Sequence, residues 1–144
     1  MRLSFRVAGA PVAKARPRMT KSGHVWTPAK TKAHEELIAL QARSAKARSA
    51  TRHEFGGAVM VTVHYHMPMP RSWSKKRKEA QRFTHHIQKP DLDNLVKTVL
   101  DALNKAAIWQ DDSQVASVTA SKIWADTGST EIEIATLSDY PSHH

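Results

Sequence analysis

The apolar positions fall into alternating and helical patterns in turn. Residues 2–8, RLSFRVA, alternate apolar with polar, which predicts a strand. Residues 9–18 hold a glycine, two prolines and the run KARPR, which reads as a loop because proline breaks helix and central strand alike. Thr27 or Thr31 can cap a helix reaching to about Arg48, with Pro28 suited to its first turn and Leu37, Ile38 and Leu40 as its apolar residues. Residues 44–57, rich in Ser, Arg and Gly, read as an exposed link. Residues 58–67, AVMVTVHYHM, carry the clearest strand pattern: Val59, Val61 and Val63 on one face, Met60, Thr62 and His64 on the other. Pro68 and Pro70 end it, and Ser72 or Ser74 then opens a short basic helix, SKKRKEAQRF.

Asp91 or Asp93 opens the next helix, ending near Ala106. Its Leu92, Leu95, Val96, Val99, Leu100 and Leu103 recur in three- and four-residue steps, as a core or dimer-interface stripe. Trp109 to Asp112 form a loop. Residues 113–125 and 130–137 read as two strands joined by a turn at 126–129, with Thr127-Gly128 as its bend. The order β-α-β-α-α-β-β has too few βαβ units for a doubly wound fold. It predicts a small single α+β domain over residues 1–137, a mixed sheet with helices packed on it. Residues 138–144 are expected to be a disordered tail, and His143 and His144 resemble the remnant of an affinity tag.

Composition narrows the function classes. At 144 residues the chain suits one domain. It contains no cysteine, so disulfides and thiolate metal sites are excluded. There is no apolar run long enough to span a membrane and no secretory signal, so a cytoplasmic protein is expected. The formal charge is +9, and it is unevenly placed. Residues 1–90 hold 19 Lys/Arg against 4 Asp/Glu, whereas residues 91–144 hold 3 against 9. A basic surface suggests a polyanionic partner, with nucleic acid the common one. Five acids between Asp91 and Asp112 would repel phosphate unless a cation lay between, and a divalent metal would supply it.

The acids have ordinary readings too. One aspartate at a helix start is a cap, but a cap does not account for both Asp91 and Asp93. Asp93, Lys97 and Asp101 stand at i, i+4 and i+8, one stripe that serves either as surface ion pairs or as metal ligands with an ammonium at the phosphate. Asp111-Asp112 suits a turn, or a third group of ligands if the loop folds back towards Asp91. The histidines His64, His66, His85 and His86 are poorer candidates, since hard cations favour oxygen. Lys14, Arg16, Arg18 and Lys21 in one loop, and Arg71, Lys75, Lys76, Arg77, Lys78 and Lys89 before the acids, suit the DNA backbone. Trp73 can either wedge into DNA or staple the basic helix to the core.

The segments PVAKARPRM, WTPAKTKAHEELI, MPMPRSWSKKRKEA and above all KPDLDNLVKTVLDALNKAAIWQDDSQV together resemble the RusA family of Holliday junction resolvases. The resemblance implies a homodimer that cuts four-way DNA junctions with Mg2+, or with Mn2+ in its place, by paired symmetric nicks. It implies Asp91, Asp93 and Asp112 as the essential acids, Asp111 as a less critical neighbour at the metal, and Lys97 as the catalytic lysine. The competing expectation is a binding protein for branched or single-stranded DNA whose acids are structural.

Overall fold

The computed structural model describes residues 1–14, 21–23, 28–49 and 54–137, and the backbone of 18–19 and 25–26. Four strands form one mixed sheet: β1 (Arg2–Ala8), β4 (Val59–Pro68), β5 (Val115–Ala125) and β6 (Ser129–Thr136), in the order β1-β6-β4-β5. β6 runs antiparallel to both β1 and β4, while β4 and β5 are parallel. The helices are α1 (Ala29–Arg48), α2 (Lys75–Gln81) and α3 (Leu92–Lys105), followed by a short 3-10 helix at Asp112–Gln114. The α+β class and the order of the main elements are as the pattern predicts. A two-residue antiparallel pair, β2 (Arg18–Met19) with β3 (Val25–Trp26), adds to that order within the segment between β1 and α1. The expected tail, 138–144, lies outside the described residues.

β4 behaves as its period of two dictates. Val59, Val61, Val63 and Tyr65 are buried in one core with Leu3 and Val7 of β1 and Ile132 and Ile134 of β6. Ile38, Ala39 and Ala42 of α1 and Leu95, Val99, Ala102 and Leu103 of α3 close that core from one side.

Several elements differ from expectation. The helix α1 buries Thr31, His34, Glu35, Ile38, Ala39, Ala42 and Ala45, while Leu40 is 56% exposed and Leu37 is also exposed. Small residues on the buried stripe let α1 lie close to α3, and packing there outweighs side-chain hydrophobicity. The helix also absorbs residues 44–48 of the expected link. Thr31 lies inside it, its hydroxyl donating to the Ala13 carbonyl, and Pro28 holds the cap position. The basic helix begins after Ser74, whose hydroxyl accepts from the Arg77 amide, and ends at Gln81, before Arg82 and Phe83.

β5 and β6 do not form a hairpin, because β4 lies between them. Their connection crosses the end of β4, and Gly128 matters there for close approach. A Cβ on it would stand 2.6 Å from the Ala10 Cα, and the Gly128 carbonyl accepts from the Gly9 amide.

Two imidazoles are held neutral by the fold. Burial, then the Lys30 charge, lowers the His34 pKa; burial, then Lys122, lowers that of His86. In the unfolded chain both titrate near about 6.5. Their depressed folded values mean that the unfolded state binds more protons first. The stability they contribute is therefore complete above about pH 6.5 and is lost as pH falls through the folded values. The melting temperature is expected to be level from pH 8 to 7 and to drop between pH 6.5 and 5. Calorimetry showing a flat profile down to pH 5 would contradict this.

Candidate active site

The chain enters α3 through Lys89-Pro90, a cis peptide bond. Lys122 of β5 reaches back to this entry, its Nζ donating to the carbonyls of Gln88 (2.5 Å) and Pro90 (2.6 Å). Asp91 takes the cap position with extended backbone, yet its carboxylate makes no capping hydrogen bond. It is exposed. A purely structural role as a cap is therefore not what this side chain performs. Asp93 lies in the first helical turn instead of at the cap.

Along α3 the stripe of Asp93, Lys97 and Asp101 faces a cleft of about 350 Å³, whose other polar wall is Asp112. Val96, Leu100, Val115 and Val118 supply its apolar surface. Val96 and Leu100, expected in the core or at a dimer interface, are thus half-buried walls of the site. A helix of 14 residues is about 20 Å long, so Asp112 can only return if the strand after it runs back along α3. β5 does this. Its start, Val115, lies beside Leu100 and Asp101, while Lys122 further along meets Pro90 at the other end of the helix.

Asp93, Lys97, Asp101 and Asp112 are thus brought together; Asp91 stands outside the cleft lining, at the head of the helix. Asp111 is differently engaged. Its carboxylate accepts from the Ser113 amide and forms a capping box with Gln114. The Ser113 amide first, then contact with the Asp112 carboxylate, holds its carboxyl below the usual range. Asp111 faces an adjoining depression with Glu54, Gln110 and Gln114.

Among the described residues no three acidic or histidine side chains form a ready-made metal cage. A hard cation such as Mg2+ does not require one, since it is usually held by one or two carboxylates plus waters and phosphate. Asp93 and Asp112 on one cleft, neither in an ion pair among the described residues, suit it chemically. Lys97 is likewise exposed and without an ion pair among the described residues.

The expected DNA-binding residues divide. Lys14 is diverted inward: its ammonium bonds Glu35 and lies 3.2 Å from Asp101, and its backbone amide donates to the Asn94 carbonyl. Burial alone would lower its pKa, but the hydrogen bonds to Glu35 and Asp101 outweigh that and raise it. A lysine so engaged is a brace between the loop, α1 and α3 before it is a grip on phosphate. Arg16 and the Arg18 side chain lie outside the described residues, and Lys21 is exposed in a turn. Arg71, Lys75, Lys76, Arg77 and Lys89 are exposed. Trp73 is the staple and not a free wedge: it packs on Trp124 at 4.7 Å, and the Arg77 guanidinium lies 4.1 Å over its ring.

Comparison with known proteins decides the family. The model of endodeoxyribonuclease RusA matches residues 8–135. The chain belongs to the RusA endodeoxyribonuclease family. It is also 36% identical over 143 residues to YqaN of Bacillus subtilis (strain 168), covering 94% of this chain and 97% of that one. YqaN is itself described only as an uncharacterized protein. RusA membership makes this an endonuclease of the Holliday-junction-resolving kind that acts on branched DNA.

Glu35, Lys105, Gln114 and Lys122 escaped the sequence reading. Gln114 was recoverable, because Asp111 and Gln114 have the spacing of a capping box. Its Oε1 accepts from the Gln110 and Asp111 amides, and its Nε2 donates to the Phe55 and Gly57 carbonyls at 2.9 Å. Replacing it orphans four backbone groups around Asp111-Asp112. Gln114→Ala is expected to destabilise the protein by about 1–3 kcal/mol and to speed hydrogen exchange at the Gln110 and Asp111 amides. Unchanged protection at those two amides would show that the strap does not hold the loop.

Proposed function

We propose that this RusA-family protein is a Mg2+-dependent, structure-selective endonuclease that resolves four-way DNA junctions as a cytoplasmic homodimer, nicking two strands symmetrically. One observation carries the reading: the helix stripe Asp93–Lys97–Asp101 and the returning Asp112 share one open cleft. Asp93 and Asp112 would hold the metal, with Asp91 at the helix head and Asp111 beside Asp112 completing the acidic rim. When bound, Mg2+ supplies Lewis-acid polarisation of the phosphoryl oxygen and a more acidic water; Mn2+ offers the same chemistry.

The chain's own groups do the rest. Lys97, between two acids on the stripe, offers an ammonium to the phosphate as charge develops on its oxygens. The apolar walls, Val96, Leu100, Val115 and Val118, lower the local dielectric and strengthen that contact. Arg71, Lys75, Lys76, Arg77, Lys89 and Lys21 are placed on the surface to hold flanking phosphates. Such contacts position the duplex without reading its sequence, and make binding steeply salt-dependent.

Asp93→Asn and Asp112→Asn are each expected to lower Mg2+-dependent nicking of a synthetic four-way junction by about two orders of magnitude or more. Junction binding should persist or tighten, because a charge facing phosphate is removed. A variant that still resolves the junction at the native rate removes that residue from the site. Lys97→Ala should cut the single-turnover rate by about 100-fold with affinity within twofold. A fall in affinity parallel to the fall in rate would make Lys97 a grip instead of a catalytic residue.

A further inference from the structure

Residues 82–90 link α2 to α3 and end at the acidic site. Their backbone is stitched to β5 at several points. The Phe83 amide donates to the Trp124 carbonyl and the Trp124 amide to the Thr84 carbonyl, both at 2.9 Å; the His86 amide donates to the Lys122 carbonyl at 3.0 Å. Lys122 Nζ ties down Gln88 and Pro90. Side chains anchor the segment from beneath: His86 is buried and lies 4.2 Å from the Trp124 ring, which also carries Trp73. This is a held loop.

Two large apolar side chains nevertheless leave it for solvent. Phe83 is 66% exposed and Ile87 is 89% exposed. Phe83 also has a φ of +66°, a conformation that bulky residues rarely adopt and that persists only where the surroundings impose it. Single exposed apolar residues are ordinary. Two on one pinned loop, the first in a disfavoured backbone state, are a presented surface.

The charge around the loop indicates the occupant. Arg71, Lys75 and Lys76 lie exposed before it, Lys89 is exposed near its end, and Asp91 comes next. A second copy packed on this loop by a twofold axis would set those same cations against each other. DNA would neutralise them. Apolar side chains inserted at base steps, and aromatic rings under unstacked bases, are the recurring ways proteins exploit such a surface on nucleic acid.

We propose that Phe83 and Ile87 form an apolar wedge that packs against bases unstacked at the branch point of a DNA junction, next to the cleaving site. The inference rests on the junction-nuclease reading and adds to it how the branch is recognised. Basic residues hold phosphates of any duplex, whereas the wedge finds a surface only where stacking is interrupted. Selectivity for branched DNA follows from that difference.

The test uses the full chain and a four-way junction carrying 2-aminopurine at the crossover, with Ca2+ present so that binding is read without cleavage. Wild-type protein is expected to raise the fluorescence several-fold. Phe83→Gly/Ile87→Ser, in which glycine accepts the positive φ, should abolish the rise and reduce junction cleavage at least tenfold. Linear-duplex affinity, melting temperature and oligomeric state should remain as in wild type. Phe83→Trp should retain the fluorescence rise, since the ring is kept. A double variant that retains the rise and the junction preference overturns the wedge. So does one that loses the rise only because its oligomeric state or folding has changed while Phe83→Trp also loses it. A wild-type protein that raises the fluorescence but cleaves no junction with Mg2+ would sink the nuclease mechanism and leave the wedge standing.

Discussion

Two parallel neighbouring strands cannot be joined by a tight turn, so the chain between β4 and β5 must leave the sheet and come back. In this protein the excursion consists of α2, the loop to Pro90, and α3. α3 is laid on the sheet by Leu95, Val99, Ala102 and Leu103, and β5 then runs back beside it. That return brings Asp112, eleven residues beyond Asp101, into the same cleft as Asp93. An antiparallel hairpin at this point would have left the acids of α3 and those of the loop on separate surfaces. The site thus depends on one strand-pairing choice, and after a register shift between Val59 and Met60 the pairing of β5 with β4 keeps one register over nine residue pairs, Met60–Ser117 to Pro68–Ala125.

A second constraint sets the position of α3 from the opposite side. Glu35 is 5% exposed and is met by Lys14 and, at 3.6 Å, by Lys105. Lys14 also reaches Asp101 at 3.2 Å and, through its amide, the Asn94 carbonyl. A buried carboxylate left without its ammonium would be strongly unfavourable, so these pairs specify geometry more than they add net stability. They join α1, the segment after β1 and both ends of α3. Asp101, which the sequence leaves undecided, is held by this network while it lines the cleft. It connects the scaffold to the site.

What the sequence reveals follows from the range of the interaction. Period-two and period-3.6 patterns are local, so β1, β4, β6 and α3 are legible, and so is the acidic character of residues 91–112. The partners of an edge strand are not local. Nothing in residues 113–137 distinguishes a hairpin from a pair of strands separated by β4, and the hairpin expectation failed there. α1 misled differently: Leu37 and Leu40 look like core, yet the buried stripe is built on alanines, Thr31, His34 and Glu35 because the neighbouring helix comes close. Lys14, read as a phosphate grip from the run KARPR, is recruited by an acid 21 residues away. Asp111-x-x-Gln114 was legible as a capping box, but its second function, strapping Phe55 and Gly57, depends on a contact across nearly 60 residues.

Rigid backbone and unengaged side chains are apportioned in one way across the whole site. Lys122 clamps the entry to α3, Gln114 clamps the loop before β5, and Lys14 clamps the Asn94 carbonyl. Each strong internal contact is made to a main-chain group or to Glu35 and Asp101. Asp91, Asp93 and Lys97 make no ion pair among the described residues, though opposite charges stand four residues apart on one helix face. Closing a surface pair there would gain at most about 0.5 kcal/mol. Meeting a phosphate and a hard cation, as proposed for these groups, would gain far more, because the effective dielectric falls as water leaves the cleft. Side chains already satisfied by one another would have to surrender those bonds when DNA arrives. A pinned main chain with unsatisfied heads avoids that reorganisation: of the cleft acids Asp101 is held by Lys14, while Asp93 and Asp112 make no ion pair among the described residues.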